Sequence, residues 1–150
     1  MGELAVINKK NNDDKQYIIF KINNESFGID ITNINTIIQM PKITKMPKMP
    51  EYFQGITYLR GRIIPVINLR KRMNYTDEEF TKKNRIIVLN LEDDKLMGII
   101  VDDVKEVMRI SQSEIEEPSP LLKKEESFIS GVGKKEDNLI SIFEVDSLIA

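Results

Sequence analysis

The chain has 150 residues, enough to bury about two thirds of its unfolded surface as one domain, and it contains neither cysteine nor histidine. The lack of cysteine excludes disulfides and thiolate zinc sites, and the lack of histidine removes the commonest metal ligand and general base. With 22 basic and 24 acidic residues, the formal charge of −2 gives no general attraction to DNA or anionic membranes. The composition therefore disfavours an enzyme and favours local recognition of a partner.

The N-terminal residues are too polar to join a core, and we predict a mobile tail over 1–15 and a folded domain over 16–150. The start of the chain lacks the apolar core of a signal peptide. The longest apolar runs, such as residues 96–101, fall far short of the roughly 20 residues that a membrane-spanning helix requires. We therefore predict a soluble, cytoplasmic protein.

The folded part opens with β patterns. Apolar runs at 17–22 and 26–30 flank the turn composition Asn-Asn-Glu at 23–25, which predicts a hairpin. Isoleucines between 31 and 38 then allow a helical turn that leads into a strand.

A segment punctuated by proline follows. Pro41, Pro47 and Pro50 predict an extended, edge-like run over 42–49. Pro50 then predicts one short helical turn that closes at Gly55.

The most informative segment joins an Arg60-Gly61 turn to an apolar strand over 63–69. Gly61 supplies the permissive backbone that a tight turn needs. Pro65 cannot donate a backbone hydrogen bond, so we expect it at a strand edge or a bulge. The strand carries almost no polar residue, which predicts burial on both faces. The basic run 70–72 then returns the chain to water.

The second half of the chain adds further short strands. They are predicted at 85–91, 96–101, 104–110, 128–133 and 138–145. Thr76 begins a run with capping-box spacing that leaves a helix start and a polar loop equally open. Pro-Ser-Pro at 118–120 marks a crossing loop, and Asp146 is placed to cap a short final helix. About ten short strands separated by polar turns predict an all-β protein of one or two small barrels.

The hairpin segment resembles the signature of the CheW family, the adaptors that couple chemoreceptors to the histidine kinase CheA in bacterial chemotaxis. The family pattern places Gly-Val/Ile-x-x-Leu-Arg-Gly before Ile-x-Pro-Val/Ile-hydrophobic-Asp/Asn-Leu, and residues 55–69 read Gly-Ile-Thr-Tyr-Leu-Arg-Gly-Arg-Ile-Ile-Pro-Val-Ile-Asn-Leu. The signature residues are Gly55, Gly61, Pro65 and Asn68. Asn68 stands where aspartate is commoner, and Tyr58 where asparagine is. Further matching stretches extend the resemblance from about residue 16 to about residue 148.

The resemblance implies two five-stranded, SH3-like β-barrels packed around a shared hydrophobic core, with short helical turns and a short C-terminal helix. It implies a non-catalytic scaffold that binds the regulatory domain of CheA and the cytoplasmic tip of methyl-accepting chemoreceptors, so that receptor state controls kinase activity. No cofactor, metal, nucleic acid or membrane insertion is expected. On this interpretation the free protein is a monomer that joins receptor–kinase arrays at membrane-bound receptor clusters.

The first group of candidate residues belongs to the receptor-binding region that the resemblance implies. Arg60 holds its guanidinium at a tight turn, where it is pre-positioned for a carboxylate or carbonyl of a partner, and a solvated charge at the hairpin tip is the alternative. A groove between the barrels is expected to receive the receptor tip. The receptor-binding set is Arg60, Ile34, Thr36, Ile37, Arg85 and Ile86. Thr36 stands where an acidic residue is common in the family, and Arg85 where an aliphatic one is.

The second group is apolar and lies on the proline-punctuated edge, where full burial in a small barrel is difficult. Family members use this region, with the loop around Leu122, to contact the two barrels of the kinase's regulatory domain. The kinase-binding set is Ile43, Met46, Met49, Phe53 and Leu122. Packing in the core is the alternative for each of these residues.

Two charged clusters have simpler interpretations. The carboxylates at 92–94 and 102–103 lack the glycine and terminal glutamate of a calcium loop, so hairpin turns are favoured over a cation site. The basic run 70–72 lacks the interleaved aromatic residues of a nucleic-acid surface.

Two alternative functions stay open. One is a CheW-like regulatory module of a larger kinase or of a receiver-bearing adaptor, and the other is a small-ligand or carboxylate-dependent enzyme. The starting Met1, the polar tail and the end at Ala150 favour a free-standing chain over the first alternative.

Overall fold

The fold is described from a computed structural model of the chain, which covers residues 14–117 and 128–149. Within these ranges the chain forms eleven strands and one short α-helix, α1 (Leu69–Arg72). The strands are β1 (Asp14–Ile22), β2 (Glu25–Asp30), β3 (Ile34–Gln39), β4 (Phe53–Leu59), β5 (Arg62–Asn68), β6 (Arg85–Asn90), β7 (Leu96–Val101), β8 (Asp103–Ser111), β9 (Ile115–Glu116), β10 (Ile129–Lys135) and β11 (Asn138–Phe143). Short 3₁₀ turns occur at Ile31–Asn33, Glu92–Asp94, Gln112–Glu114 and Val145–Ile149. The mainly β class predicted from the sequence is confirmed.

The strands form two sheets. The first sheet has six strands in the order β8-β1-β2-β11-β10-β9, and the second has five in the order β3-β6-β7-β5-β4. Strands joined by tight turns pair antiparallel, whereas β2 with β11 and β5 with β7 pair in parallel. The two units agree with the pair of barrels implied by the resemblance. The first has one strand more than expected, because the two-residue β9 pairs with β10.

Many strands are buried on both faces, which explains their nearly continuous apolar sequences. In β6, Ile87 and Leu89 join a core shared by the two sheets, whereas Ile86 and Val88 pack on the opposite face. The shared core includes Phe20, Ile22, Phe27, Ile29, Leu69, Ile87, Leu89, Ile99, Val101 and Phe143. The first sheet has its own cluster of Tyr17, Ile19, Ile110, Ile140 and Ile142, and the second has Ile64, Val66, Ile86, Val88 and Ile100. Each sheet thus has a cluster of its own and shares a third, as two packed barrels do.

The predicted hairpin turns are confirmed. Asn23 and Asn24 have φ angles of 52° and 67°, and Arg60 and Gly61 have 51° and 79°. Positive φ at both central residues is typical of the type I′ turn, whose twist matches that of the flanking strands. No heavy atom lies within 4 Å of the position that a Cβ of Gly61 would take, so this glycine serves the backbone conformation and not close packing.

Pro65 lies in an inner strand, where a missing N–H would normally interrupt a ladder. Its partner in β4 is Ile56, whose own N–H and C=O both bond to Thr44 at 2.9 Å. Pro65 therefore occupies a pair that exchanges no backbone hydrogen bonds, and the parallel ladder to β7 begins only at Val66. The structure corrects the prediction of an edge or bulge position. Pro65 lies in an inner strand, at a place where no backbone N–H is needed for the ladder.

Two predicted helical features differ in detail. The turn at Pro50 is present as one hydrogen bond of 3.0 Å from Phe53 N to Pro50 O, but β4 begins at Phe53, and Gly55 lies inside that strand instead of closing a helix. The C-terminal helix is the 3₁₀ turn Val145–Ile149, and Asp146 lies within its first turn instead of capping it.

The limits of the folded part differ slightly from the prediction. β1 begins at Asp14, so Asp14 and Lys15 belong to this strand and not to a tail. Thr76 lies in a loop, which is one of the two alternatives left open. The rest of the predicted tail and the crossing loop at 118–120 lie outside the described residues. Within the described part, no helix has both the length and the apolar character needed to cross a membrane.

Candidate functional site

The β4–β5 hairpin holds Arg60 at its tip. The I′ turn fixes the backbone there, and the Arg60 side chain is exposed. Its neighbour Arg62 donates from Nη2 to the carbonyl oxygen of Asp94 at 2.6 Å, which ties the hairpin to the turn between β6 and β7. From this fixed backbone position, the planar guanidinium of Arg60 presents several N–H donors that match the geometry of a partner carboxylate.

Two large apolar side chains beside Arg60 were not expected at the surface. Tyr58 and Ile63 face each other across the hairpin and are 71% and 57% exposed. The prediction that the strand is buried on both faces holds for Ile64, Val66 and Ile67, but Ile63 is corrected to an exposed residue. A two-residue turn at 60–61 pairs position 58 with position 63, so the sequence already carried this signal. Exposed apolar residues paired beside a cation are typical of an interaction surface.

β3 carries the first part of the predicted receptor groove. Ile34, Thr36 and Ile37 are half-buried on this outer strand, and the two isoleucines pack against the shared core. The register with β6 shifts between Ile34 and Thr36, and Asn35 Nδ2 donates to Asn90 Oδ1 at 3.2 Å. Only part of the Ile34 and Ile37 side chains is therefore accessible to a partner.

Arg85 and Ile86 lie at the far end of this sheet from Arg60. Arg85 pairs with Gln39 at the end of β3, and its Nη1 donates to the carbonyl oxygens of Lys82 and Asn84 at 2.7 and 2.8 Å. Ile86 is fully buried in the cluster of the second sheet. A fully buried side chain offers no surface to a partner, so Ile86 serves the packing of the strand. The register of the strands does not bring Arg85 close to Arg60.

The proline-punctuated segment brings three residues of the predicted kinase set together. Met46, Met49 and Phe53 line one cleft of about 290 Å³. Met46 and Met49 are 46% and 48% exposed. Ile43 is half-buried against the cluster of the second sheet, and Leu122 lies outside the described residues.

This segment is held mainly by one close backbone contact. Residues 40–52 form no regular strand, and Thr44 makes an isolated bridge to Ile56 through two hydrogen bonds of 2.9 Å. Thr57 Oγ1 also donates to the carbonyl oxygen of Lys42 at 2.9 Å. Gly55 has a φ of 146°, and a Cβ there would lie 2.3 Å from the Thr44 oxygen. Only glycine allows this approach.

Arg72 clamps the end of the same segment. Its guanidinium carbon lies 4.7 Å from the centre of the Tyr52 ring and 4.5 Å from that of Phe128. A guanidinium between two aromatic faces is attracted by both rings. The backbone N–H of Asn68 also donates to the carbonyl oxygen of Tyr52 at 2.8 Å. The basic run was expected to face water, but Arg72 is half-buried in this contact.

Arg70 was also expected in water, and it is instead a buried link between the two sheets. Its side chain is 7% exposed, and its Nη1 donates to Asp102 Oδ2 at 2.5 Å. Nη2 donates to Asn23 Oδ1 at 3.2 Å, and Nε donates to the carbonyl oxygen of Thr76 at 2.9 Å. Asp102 also accepts the backbone N–H of Asn23 at 2.8 Å. The Asp102 carboxylate is therefore paired with the Arg70 guanidinium. The described residues contain no cluster of carboxylates that could hold a metal.

Asn68 organises the start of α1. Its Oδ1 accepts the backbone N–H of Arg70 at 3.1 Å and of Lys71 at 3.5 Å, as an N-cap does. Its Nδ2 donates to Gln54 Oε1 and Asp77 Oδ1, both at 3.3 Å. An ionised aspartate could supply the cap but not these donors. This explains how asparagine serves at the position where the family pattern prefers aspartate.

The two candidate surfaces lie at opposite ends of the β4–β5 hairpin. Leu59 pairs with Arg62 beside the turn that holds Arg60, whereas Phe53 pairs with Ile67 at the other end. The seven residues of β4 separate these ends by about 20 Å at the usual rise of a strand. Ile34 begins β3 at the Arg60 end of the same sheet, because it pairs with Leu89 just before the β6–β7 turn.

Similarity to known proteins extends over nearly the whole chain. The family model for the CheW-like domain matches residues 16–150. The chain is 32% identical over 136 residues to the chemotaxis protein CheW of Bacillus subtilis (strain 168), with 90% of this chain and 86% of that protein covered. It is 31% identical over 134 residues to the chemotaxis protein CheW of Helicobacter pylori, with 89% and 81% covered. Among solved structures, the scaffolding protein TtCheW from Thermoanaerobacter tengcongensis matches with a TM-score of 0.84 and 35% identity, and 91% of this chain and 88% of that chain are covered.

Proposed function

The chain belongs to the CheW family and is a chemotaxis scaffold, and from this premise we propose that it binds a histidine kinase and a chemoreceptor at the same time. The kinase is CheA, bound through its regulatory domain, and the receptor is bound through the cytoplasmic tip of its helical hairpin. The protein performs no chemical reaction of its own. It stays in the cytoplasm and reaches receptor clusters through the receptor itself.

The observation that supports this proposal most directly is the separation of the two surfaces. The Arg60 tip and the Met46–Met49 cleft lie at opposite ends of one hairpin. A partner at one end leaves the other end open, because the ends are about 20 Å apart. The connecting strands β4 and β5 pair with each other along their length, and β5 also pairs with β7, so the sheet holds the two surfaces at a fixed distance.

The receptor surface combines a charge with apolar area. Arg60 supplies donors for a carboxylate or carbonyl, and the exposed pair of Tyr58 and Ile63 supplies an apolar contact beside it. Ile34 begins β3 at the same end. A helical hairpin that presents apolar side chains next to an acidic one would match this surface. Arg85 is left out of the proposed contact, because the register places it at the far end.

Replacing Arg60 with aspartate should uncouple the receptor from the kinase. The change removes a guanidinium whose charge-assisted hydrogen bonds are worth about 1.5–3 kcal/mol, so receptor affinity should fall by about tenfold or more. Arg109→Asp is a matched control, since it makes the same charge change at an exposed position in the first sheet. Receptor-controlled kinase activity in a reconstituted array is the measurement. If the receptor still controls the kinase in arrays built with the Arg60→Asp protein, Arg60 is a solvated charge and not a receptor contact.

Replacing Met46 with aspartate should weaken binding of the kinase. A charge in an apolar contact loses the burial of the methionine and adds a desolvation cost, so affinity should fall by about tenfold or more. Val107→Asp is the control, because Val107 is 48% exposed, close to the 46% of Met46, and lies in the other sheet. Calorimetric titration with the CheA regulatory domain measures both variants. Equal affinities for the two variants would show that Met46 makes no specific contact with the kinase.

A further inference from the structure

We propose that Met46 and Met49 form a site of reversible oxidation, at which conversion of their thioethers to sulfoxides weakens binding of the kinase. The inference rests on the proposed function, because it takes the cleft at these two residues as the kinase-binding surface.

The distribution of sulfur in the chain singles out this pair. The sequence has seven methionines and no cysteine, so its only oxidisable sulfurs are thioethers. Among the methionines in the described residues, only Met46 and Met49 are exposed, at 46% and 48%. The other described methionines are Met40, Met73, Met97 and Met108, which all pack in or against the three hydrophobic clusters.

The pair also occupies one place. Both side chains line the same cleft of about 290 Å³, together with Phe53, Pro50 and Lys71. Neither Met46 nor Met49 belongs to a hydrophobic cluster, so a change in their polarity leaves the described cores intact. The effect of oxidation therefore falls on whatever binds in the cleft and not on the fold.

The chemistry requires a two-electron oxidant of the peroxide class. A lone pair of the thioether sulfur attacks one oxygen of hydrogen peroxide, the O–O bond breaks, and the second oxygen leaves as water after proton transfer. The sulfur is oxidised to a sulfoxide and the peroxide is reduced. Methionine sulfoxide reductases reverse the change at the expense of a thiol reductant. The sulfoxide is polar and chiral, so it no longer provides the adaptable apolar contact of methionine.

The experiment begins with the folded protein treated with hydrogen peroxide. Peptide mass spectrometry should show oxygen on Met46 and Met49 about tenfold sooner than on Met97 or Met40, because exposure governs access of the oxidant. An excess of the CheA regulatory domain should slow oxidation of the pair, because a partner bound over the cleft blocks access of the oxidant to the two sulfurs.

Calorimetric titration then compares untreated and oxidised protein. Oxidised protein should bind the regulatory domain about tenfold more weakly, and sulfoxide reductase should restore the original affinity. A double variant with Met46→Leu and Met49→Leu is compared only with itself before and after peroxide, and its affinity should not change with treatment. This control separates oxidation of the pair from damage elsewhere.

The outcomes distinguish the two proposals. If untreated protein binds the regulatory domain and fully oxidised protein binds equally well, the oxidation site is refuted and the scaffold function stands. Equal rates of oxidation at buried and exposed methionines would also refute it. If untreated protein does not bind the regulatory domain at all, the proposed kinase contact fails and the inference built on it fails too.

Discussion

Replacing Arg70 with alanine should lower the free energy of unfolding by about 3 kcal/mol, the lower end of the range for removing one partner of a buried ion pair. The guanidinium is 7% exposed, and its loss would leave the partly buried Asp102 carboxylate without its cation. It would also leave Asn23 Oδ1 and the Thr76 carbonyl oxygen without the donors that they now accept. Because Asn23 belongs to the β1–β2 turn and Arg70 follows β5, the loss weakens the contact between the sheets.

Urea denaturation measures this effect, and Lys71→Ala is the control. Lys71 is the next residue and also forms an ion pair, with Asp77 at 3.5 Å, but the side chains of this pair are 28% and 50% exposed, against 7% and 27% for Arg70 and Asp102. Exposed or partly exposed pairs contribute about 0–1 kcal/mol, so this variant should unfold close to the wild type. The free energy of unfolding of Arg70→Lys should lie between those of the two alanine variants. Lysine keeps the charge, but it lacks the planar guanidinium that reaches all three acceptors at once. Equal midpoints for Arg70→Ala and Lys71→Ala would show that the buried network adds no stability.

Arg70 also shows why part of the structure could not be predicted from the sequence. A run of three basic residues normally lies in water, because an unpaired charge is costly to bury. Burial becomes favourable only with a partner, and Asp102 is 32 residues further along the chain. No local pattern links the two residues. The same limit applies to Arg72, whose aromatic partners Tyr52 and Phe128 belong to different parts of the chain.

The features that were predicted correctly are those that depend on near neighbours. The turns at Asn23-Asn24 and Arg60-Gly61 need only a backbone that tolerates positive φ, and both formed as predicted. The nearly unbroken apolar character of the strand that ends at Leu69 predicted burial on both faces, which holds from Ile64 onwards. The arrangement in two units came from the resemblance to a family and not from periodicity.

The candidate surfaces were predicted only in part, because strand register decides which residues meet. Arg60 and Ile34 are at one end of the second sheet, while Arg85 is at the other. A prediction based on family position alone grouped all three. The exposed Tyr58 was missed, although the two-residue turn already implied its pairing with Ile63.

Replacing Gly55 with alanine should detach the segment that carries Met46 and Met49, and should cost about 3 kcal/mol of stability through a strained φ and two lost backbone hydrogen bonds. The added Cβ would lie 2.3 Å from the Thr44 oxygen and 2.9 Å from Ile43 Cγ2. A backbone oxygen cannot move aside as the end of a side chain can, so the Thr44–Ile56 bridge must open. Hydrogen exchange should show faster exchange of the Thr44 and Ile56 amides than in the wild type.

Gly61→Ala is the matched control, because it separates the effect of backbone strain from the effect of a steric clash of the added Cβ. Gly61 also has a positive φ, of 79°, but no heavy atom lies within 4 Å of its added Cβ. This variant should lose only about 1 kcal/mol and keep the Thr44 amide protected. If the kinase binds at the Met46–Met49 cleft, Gly55→Ala should weaken its binding in a calorimetric titration, while Gly61→Ala should not. A Gly55→Ala protein that keeps both the protected amide and full kinase affinity would show that the bridge does not hold this surface in place.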